Sequence, residues 1–194
     1  MAAFRAAISD HANRSFSDEE LMALAGPAEE GILQQLFPDN WEDCFEKYLE
    51  GYARRLVPGK ILFPGVYEGL IGLAERGCRM SVVSGKTKPA VDESCKQARI
   101  TDLFDHIIGG SADGDRKAEG ITTVLESWSA DPSQVVYIGD TSGDIRAAKA
   151  ARTIPVGATW AVSADRNKLA HEGPEHIFET VGSFYSWATR AAQG

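Results

Sequence analysis

The chain is 194 residues long, enough for one full-sized domain or a core with a smaller appendage. A net charge of −8 and the lack of any Lys/Arg-rich run argue against a nucleic-acid partner, whose backbone rewards clustered cations. Hydrophobic residues at 43% and charged residues at 25% are those of a soluble globular protein, and no apolar run nears the roughly 18 residues that span a membrane.

Cys44, Cys78 and Cys95 form no Cys-x-x-Cys pair and stand at no metal-ligand spacing from a His. They read as reduced, structural thiols, so a cytoplasmic protein is expected. The first 14 residues contain Arg5, Asp10 and His11 and lack the apolar core of a secretory signal.

In chain order, residues 1–60 read as helical, with no strand signal. Phe4, Ala7, Ile8 and His11 recur at helical spacing. Ser17-Asp18-Glu19-Glu20 is a capping box that starts a second helix. Gly26 ends it, and Pro27 is expected in the first turn of the next helix, which carries Ile32, Leu33 and Leu36. Asn40 is expected to cap a longer helix bearing Phe45, Leu49, Tyr52 and Leu56. The pattern changes at Pro58-Gly59. From Phe63-Pro64-Gly65 onward, helices over 66–76, 88–98, 117–127, 143–152 and 181–192 alternate with apolar strands over 79–84, 106–108, 135–139, 153–157 and 176–178. That alternation predicts an α/β fold, a parallel sheet with helices on both faces, over 61–194, preceded by a helical cap over 1–60.

In open α/β sheets, ligands bind beyond the carboxyl ends of the strands. Ser84 ends one predicted strand and is followed by Gly85-Lys86, Asp140 ends another, and Lys117 opens a helix after the 106–108 strand. Singly, Ser84 also reads as a turn or cap residue and Lys117 as a solvated charge. Asp140 and Asp144 are more telling, because two acids across one turn repel each other unless a metal or a cation sits between them. In the N-terminal helices, Arg14, Lys47, Arg54, Arg55 and Lys60 read either as partners for an anionic leaving group or as a solvated face.

The order of these parts carries a resemblance. Pro64-Gly65-Val66, then Val82-Val83-Ser84-Gly85-Lys86, then Lys117, then Ile138-Gly139-Asp140-Thr141-Ser142-Gly143-Asp144-Ile145 resembles the haloacid-dehalogenase-like hydrolase superfamily, phosphoglycolate-phosphatase-like branch. The segments 147–151 and 156–160 are similar to that branch as well. The resemblance implies a phosphatase acting on a small phosphorylated metabolite through an aspartyl-phosphate with Mg²⁺. It implies that Ser84 and Gly85 bind the phosphoryl group and that Lys117 neutralises charge there. Asp140 would hold Mg²⁺, with Asp144 beside it as a further ligand or as an acceptor behind the ligand. Gly139-Asp140 sets the chain apart from the metal-free dehalogenases, while Lys117-Ala118 departs from the Lys-Pro usual in the branch.

The superfamily's first motif, an apolar strand ending in Asp-x-Asp-Gly-Thr, has no match in residues 1–60. The nearest acid, Asp10, lacks the second acid and the Gly-Thr. The expectation is a chain that starts ten to twenty residues late and lacks the central first strand of the sheet. Such a chain would be inactive as it stands and prone to self-association through strand edges, or would serve as a non-catalytic binding protein.

Overall fold

The computed structural model describes residues 2–24 and 26–192. Met1, expected within the first helix, lies outside the described residues. The chain forms two compact units, one of Met1–Ile61 and Val82–Arg116, the other of Leu62–Ser81 and Lys117–Gly194. This division does not coincide with the sequence boundary at 60/61, because pattern marks elements whereas packing decides which elements touch.

The first unit opens with helices α1 (Ala2–Ala12), α2 (Asp18–Ala23), α3 (Glu29–Leu36) and α4 (Trp41–Arg55). No strand lies among its described residues before position 57, as the pattern requires. At the start of α2 the capping box forms in both directions: Glu20 N–H donates to Ser17 Oγ at 3.1 Å and Ser17 N–H to Glu20 Oε2 at 2.8 Å. Pro27 is not in the first turn of α3. The helix begins two residues later with Ala28 as its cap, whose N–H is held by the carbonyl of Ser111 at 2.7 Å.

Phe4, Ile8, Phe16, Leu21, Leu33, Cys44 and Tyr48 form the centre of this unit's core. On α4 the fully buried line is Cys44 and Tyr48, with Phe45, Leu49 and Tyr52 flanking it, so the inward face is rotated from the one the pattern suggested. Burial pushes the Cys44 thiol up to about 11, as expected for a structural rather than a reactive cysteine. The unit is completed by Val82 and Val83 of β1 (Ser81–Val83), α6 (Lys88–Gln97), a 3-10 turn at Thr101–Leu103 and β2 (His106–Ile108). Strands β1 and β2 pair with each other, and α6 packs on α4.

The second unit holds α5 (Val66–Ala74), α7 (Lys117–Trp128), β3 (Val136–Gly139), α8 (Ser142–Ala150), β4 (Ile154–Ala158), α9 (Arg166–His171), β5 (His176–Phe178) and α10 (Val181–Ala191). Its sheet is parallel, in the order β3-β4-β5, with Ile138 beside Val156 and Gly157 beside Ile177. Short α9 was not legible as a helix, although Asp165 caps it by accepting from the amides of Asn167 and Lys168. Between β5 and α10, the rings of His176 and Phe178 pack against those of Phe184 and Trp187. None of the described helices is long and apolar enough to cross a membrane.

Gly31 tests how tightly α3 meets the 109–112 loop. Inside a helix, Gly to Ala ordinarily stabilises by about 1 kcal/mol. Here an added Cβ would lie 2.1 Å from the carbonyl oxygen of Ala112, a backbone atom with little freedom to move. Overpacking of that kind costs about 1–3 kcal/mol. Gly31→Ala is therefore expected to destabilise, and urea unfolding with a midpoint at or above wild type would show that α3 is not so closely seated.

Candidate active site

In the second unit, β3 ends at Gly139 and the chain turns through Asp140 and Thr141 into α8. Thr141 is the helix cap: its Oγ1 accepts the Asp144 N–H at 3.2 Å, while its own amide donates to Asp144 Oδ2 at 3.0 Å. The Thr141 hydroxyl also donates to Oδ2 at 2.6 Å. Thr-x-x-Asp is the same kind of pattern that marks the start of α2, so this capping role was present in the sequence beside the acid-pair signal.

The other oxygen of Asp144 faces Lys117. The Nζ of Lys117 lies 2.7 Å from Oδ1, with side-chain exposures of 16% and 8% that leave little water to screen the pair. Tyr137 donates to the same oxygen at 3.5 Å. Both oxygens of Asp144 are thus engaged. Gly139 makes room for this arrangement, since a Cβ there would fall 2.3 Å from Asp144 Cβ and 2.4 Å from its Cγ. The cation anticipated between the two acids is, at Asp144, the ammonium of Lys117.

Asp140 is different. It is exposed, and its carboxylate has no hydrogen-bond or ion-pair partner among the described residues. Among those residues, no group of three or more His, Cys, Asp or Glu side chains could hold a metal ion. The oxygens on offer to a hard cation are those of Asp140, with Asp144 committed behind them.

Ser84 and Gly85 belong to the first unit, where they follow β1. The Ser84 N–H donates to the carbonyl of Ile108 at 3.0 Å, and Ser84 Oγ accepts the Lys86 N–H at 3.1 Å. Because Oγ is used as an acceptor, its hydroxyl proton is left to donate. Asp10, the nearest N-terminal acid to a nucleophile, is an exposed residue within α1. Arg14, in the segment between α1 and α2, pairs with Glu20 at 2.8 Å and lies over the Phe16 ring, and Arg54 pairs with Glu50 within α4 at 3.2 Å, so both are engaged within the first unit. Glu29 had no sequence signal as a site residue, yet it accepts from the loop that follows Ser84.

A family model described as haloacid dehalogenase-like hydrolase matches residues 1–158. The pyrophosphatase PpaX of Listeria innocua is 26% identical over 174 residues, covering 89% of this chain and 76% of the relative. A phosphoglycolate phosphatase of Pseudomonas putida is 30% identical over 155 residues, or 79% of this chain and 56% of its own. Among solved structures, a predicted phosphoglycolate phosphatase from Haemophilus somnus superposes with a TM-score of 0.76 at 20% identity, over 96% of this chain and 89% of that one. At that identity the last likeness speaks for the fold.

The two acids of the turn are expected to behave oppositely when neutralised or stripped of their partner. Lys117→Met leaves a buried carboxylate without its cation and should lower the unfolding free energy by about 3 kcal/mol. Asp140→Asn alters an exposed, unpartnered group and should stay within about 0.5 kcal/mol of wild type. Equal effects of the two substitutions in chemical denaturation would contradict this division of roles.

Proposed function

The chain belongs to the haloacid dehalogenase-like hydrolase family, and on that premise we propose that its site is built to bind and hydrolyse a small phosphomonoester of the phosphoglycolate kind. The observation that carries this reading is the buried Lys117–Asp144 pair at 2.7 Å in the same turn as the exposed Asp140, which follows β3 and has no partner among the described residues. The names borne by the relatives share one chemistry, hydrolysis of a phosphoryl bond. Phosphoryl transfer asks a protein mainly for positioning and charge neutralisation.

Each residue has a part in that task. Asp144 fixes the direction of the Lys117 ammonium, which neutralises charge on the phosphoryl oxygens. Ser84 donates its hydroxyl proton to a phosphoryl oxygen, the role that the family resemblance implies. Gly85 lets the backbone approach there without a side chain in the way. Magnesium takes one or two carboxylates and completes its shell with water and phosphate oxygens. A single unpartnered carboxylate at Asp140 fits that habit, and Asp144 supports it through Thr141 and Lys117 rather than as a direct ligand. When bound, the cation would spread the charge of the transferring group, and with one protein carboxylate its affinity in the absence of phosphate should be weak.

In the reaction that the resemblance implies, a carboxylate oxygen attacks phosphorus as the bond to the leaving oxygen breaks and that oxygen takes a proton. Water then cleaves the aspartyl-phosphate. No Asp-x-Asp-Gly-Thr occurs within these 194 residues. A protein of this sequence should therefore bind phosphate yet turn substrate over negligibly, since covalent catalysis depends on that nucleophile.

Hydrolysis of phosphoglycolate and of p-nitrophenyl phosphate with Mg²⁺ tests the reading. The 194-residue protein should stay near the blank, and addition of an N-terminal segment bearing Asp-x-Asp-Gly-Thr should restore turnover. Asp140→Asn in the extended protein should abolish it again. Robust turnover by the unextended protein, lost in Asp140→Asn, would overturn the proposed need for the motif. An extended protein that stays inert would favour a non-catalytic binding role.

A further inference from the structure

Glu29, the first residue of α3, has a side chain only 14% exposed. A carboxylate so withdrawn from water needs donors, and three reach it from two other parts of the first unit. Lys86 Nζ lies 3.0 Å and the Tyr48 hydroxyl 2.7 Å from Oε1, and the Thr87 amide lies 2.8 Å from Oε2. The Lys86 ammonium also sits 5.0 Å above the ring of Tyr52, whose hydroxyl is bonded to Ser94 of α6 at 2.7 Å.

The loop that meets Glu29 is the one that begins with Ser84. Its parts are linked in series: the Lys86 amide sets the Ser84 Oγ at 3.1 Å, and the Lys86 carbonyl accepts from Gly110 N–H at 2.7 Å. A Thr at a helix cap ordinarily anchors such a loop through its own hydroxyl. Thr87 does not. It caps α6 without a side-chain hydrogen bond, and its fully buried Oγ1 has no partner. The anchoring is instead supplied from outside, by a carboxylate 57 and 58 positions away in the sequence.

We propose that Glu29 is a positioning residue for the Ser84 loop, holding the Lys86 and Thr87 peptide units so that the Ser84 hydroxyl is presented at a fixed angle. This rests on the reading of Ser84 as a phosphoryl donor. Its consequence is that α3 carries the group that shapes the loop beginning at Ser84. The ionised form is what the role needs, because a neutral amide offers a single acceptor oxygen and cannot serve both the Lys86 ammonium and the Thr87 amide.

Amide hydrogen exchange and inorganic-phosphate binding of the full chain test the proposal. Glu29→Gln should speed exchange of the Lys86 and Thr87 amides by about tenfold or more while the amides of α1 keep their protection, as a local opening would. Phosphate affinity should fall by about tenfold in the same variant, reporting loss of a coupled contact. Adding Lys86→Met removes the cation that Glu29→Gln leaves stranded, and the Gln carbonyl can then accept the Thr87 amide, so protection of that amide should return. Unchanged exchange at Lys86 and Thr87, or loss shared equally by α1, would overturn the positioning role. Ser84→Ala decides the underlying reading separately. Wild-type phosphate affinity in that variant would remove Ser84 from the phosphate site, while the exchange data would still judge the hold of Glu29 on the loop.

Discussion

One carboxylate with both oxygens engaged holds the second unit's site together. Asp144 accepts from Thr141 on one side and from Lys117 on the other. The first contact shapes the turn after β3 and starts α8, and the second fixes a cation that would otherwise be a long, mobile side chain. Neither is possible unless the strand ends in a residue without a side chain, because any Cβ at position 139 would occupy the space of Asp144 itself. Asp140 is exposed, while its neighbour four residues on has taken up Lys117. The acid pair is therefore not a symmetrical pair of ligands. One acid builds the turn and the other stands exposed after the strand.

The first unit repeats this device with different parts. Glu29, like Asp144, is a largely buried carboxylate that accepts from a lysine, from the backbone amide of a threonine and from a tyrosine hydroxyl. In both cases the lysine supplies the opposite charge that a desolvated acid requires, and the amide ties it to a loop at the end of a strand. They differ in reach. Asp144 finds its threonine three residues away, whereas Glu29 finds its threonine on a segment far along the chain. Burial alone would raise the Glu29 carboxyl, but Lys86, the Thr87 amide and Tyr48 together hold it below the ordinary glutamate range, so it is ionised where it sits.

Close backbone approach is the common price of these contacts. Gly31 against Ala112, Gly109 against Lys88 and Gly110 against Gly85 each leave no room for a Cβ. Helix α3 and the two loops after β1 and β2 can therefore lie against one another, which brings Glu29 within hydrogen-bond distance of Lys86 and Thr87.

Much of this was legible in the chain itself. Local rules reach a few residues: the capping box at Ser17–Glu20, the alternation of apolar strands with helices, and the Gly-Asp turn after a β-branched strand all depend on neighbours within one or two turns. For that reason the helical N-terminal stretch, the α/β class and the candidate residues Ser84, Lys117, Asp140 and Asp144 could be named. The inward face of α4 differs from the one read in the sequence, because the apolar side of that helix is broad enough to be centred on Phe45 and Leu49, and only packing against α1 and α3 selects Cys44 and Tyr48 as its centre. What tertiary structure alone decided was partnership. That Lys117 would meet Asp144, that Thr87 would leave its own hydroxyl unused, and that Glu29 would take its place depend on segments 27 to 58 positions apart being folded against each other. No periodicity or spacing encodes such contacts, because a buried charge chooses its partner by distance in space and by exclusion of water.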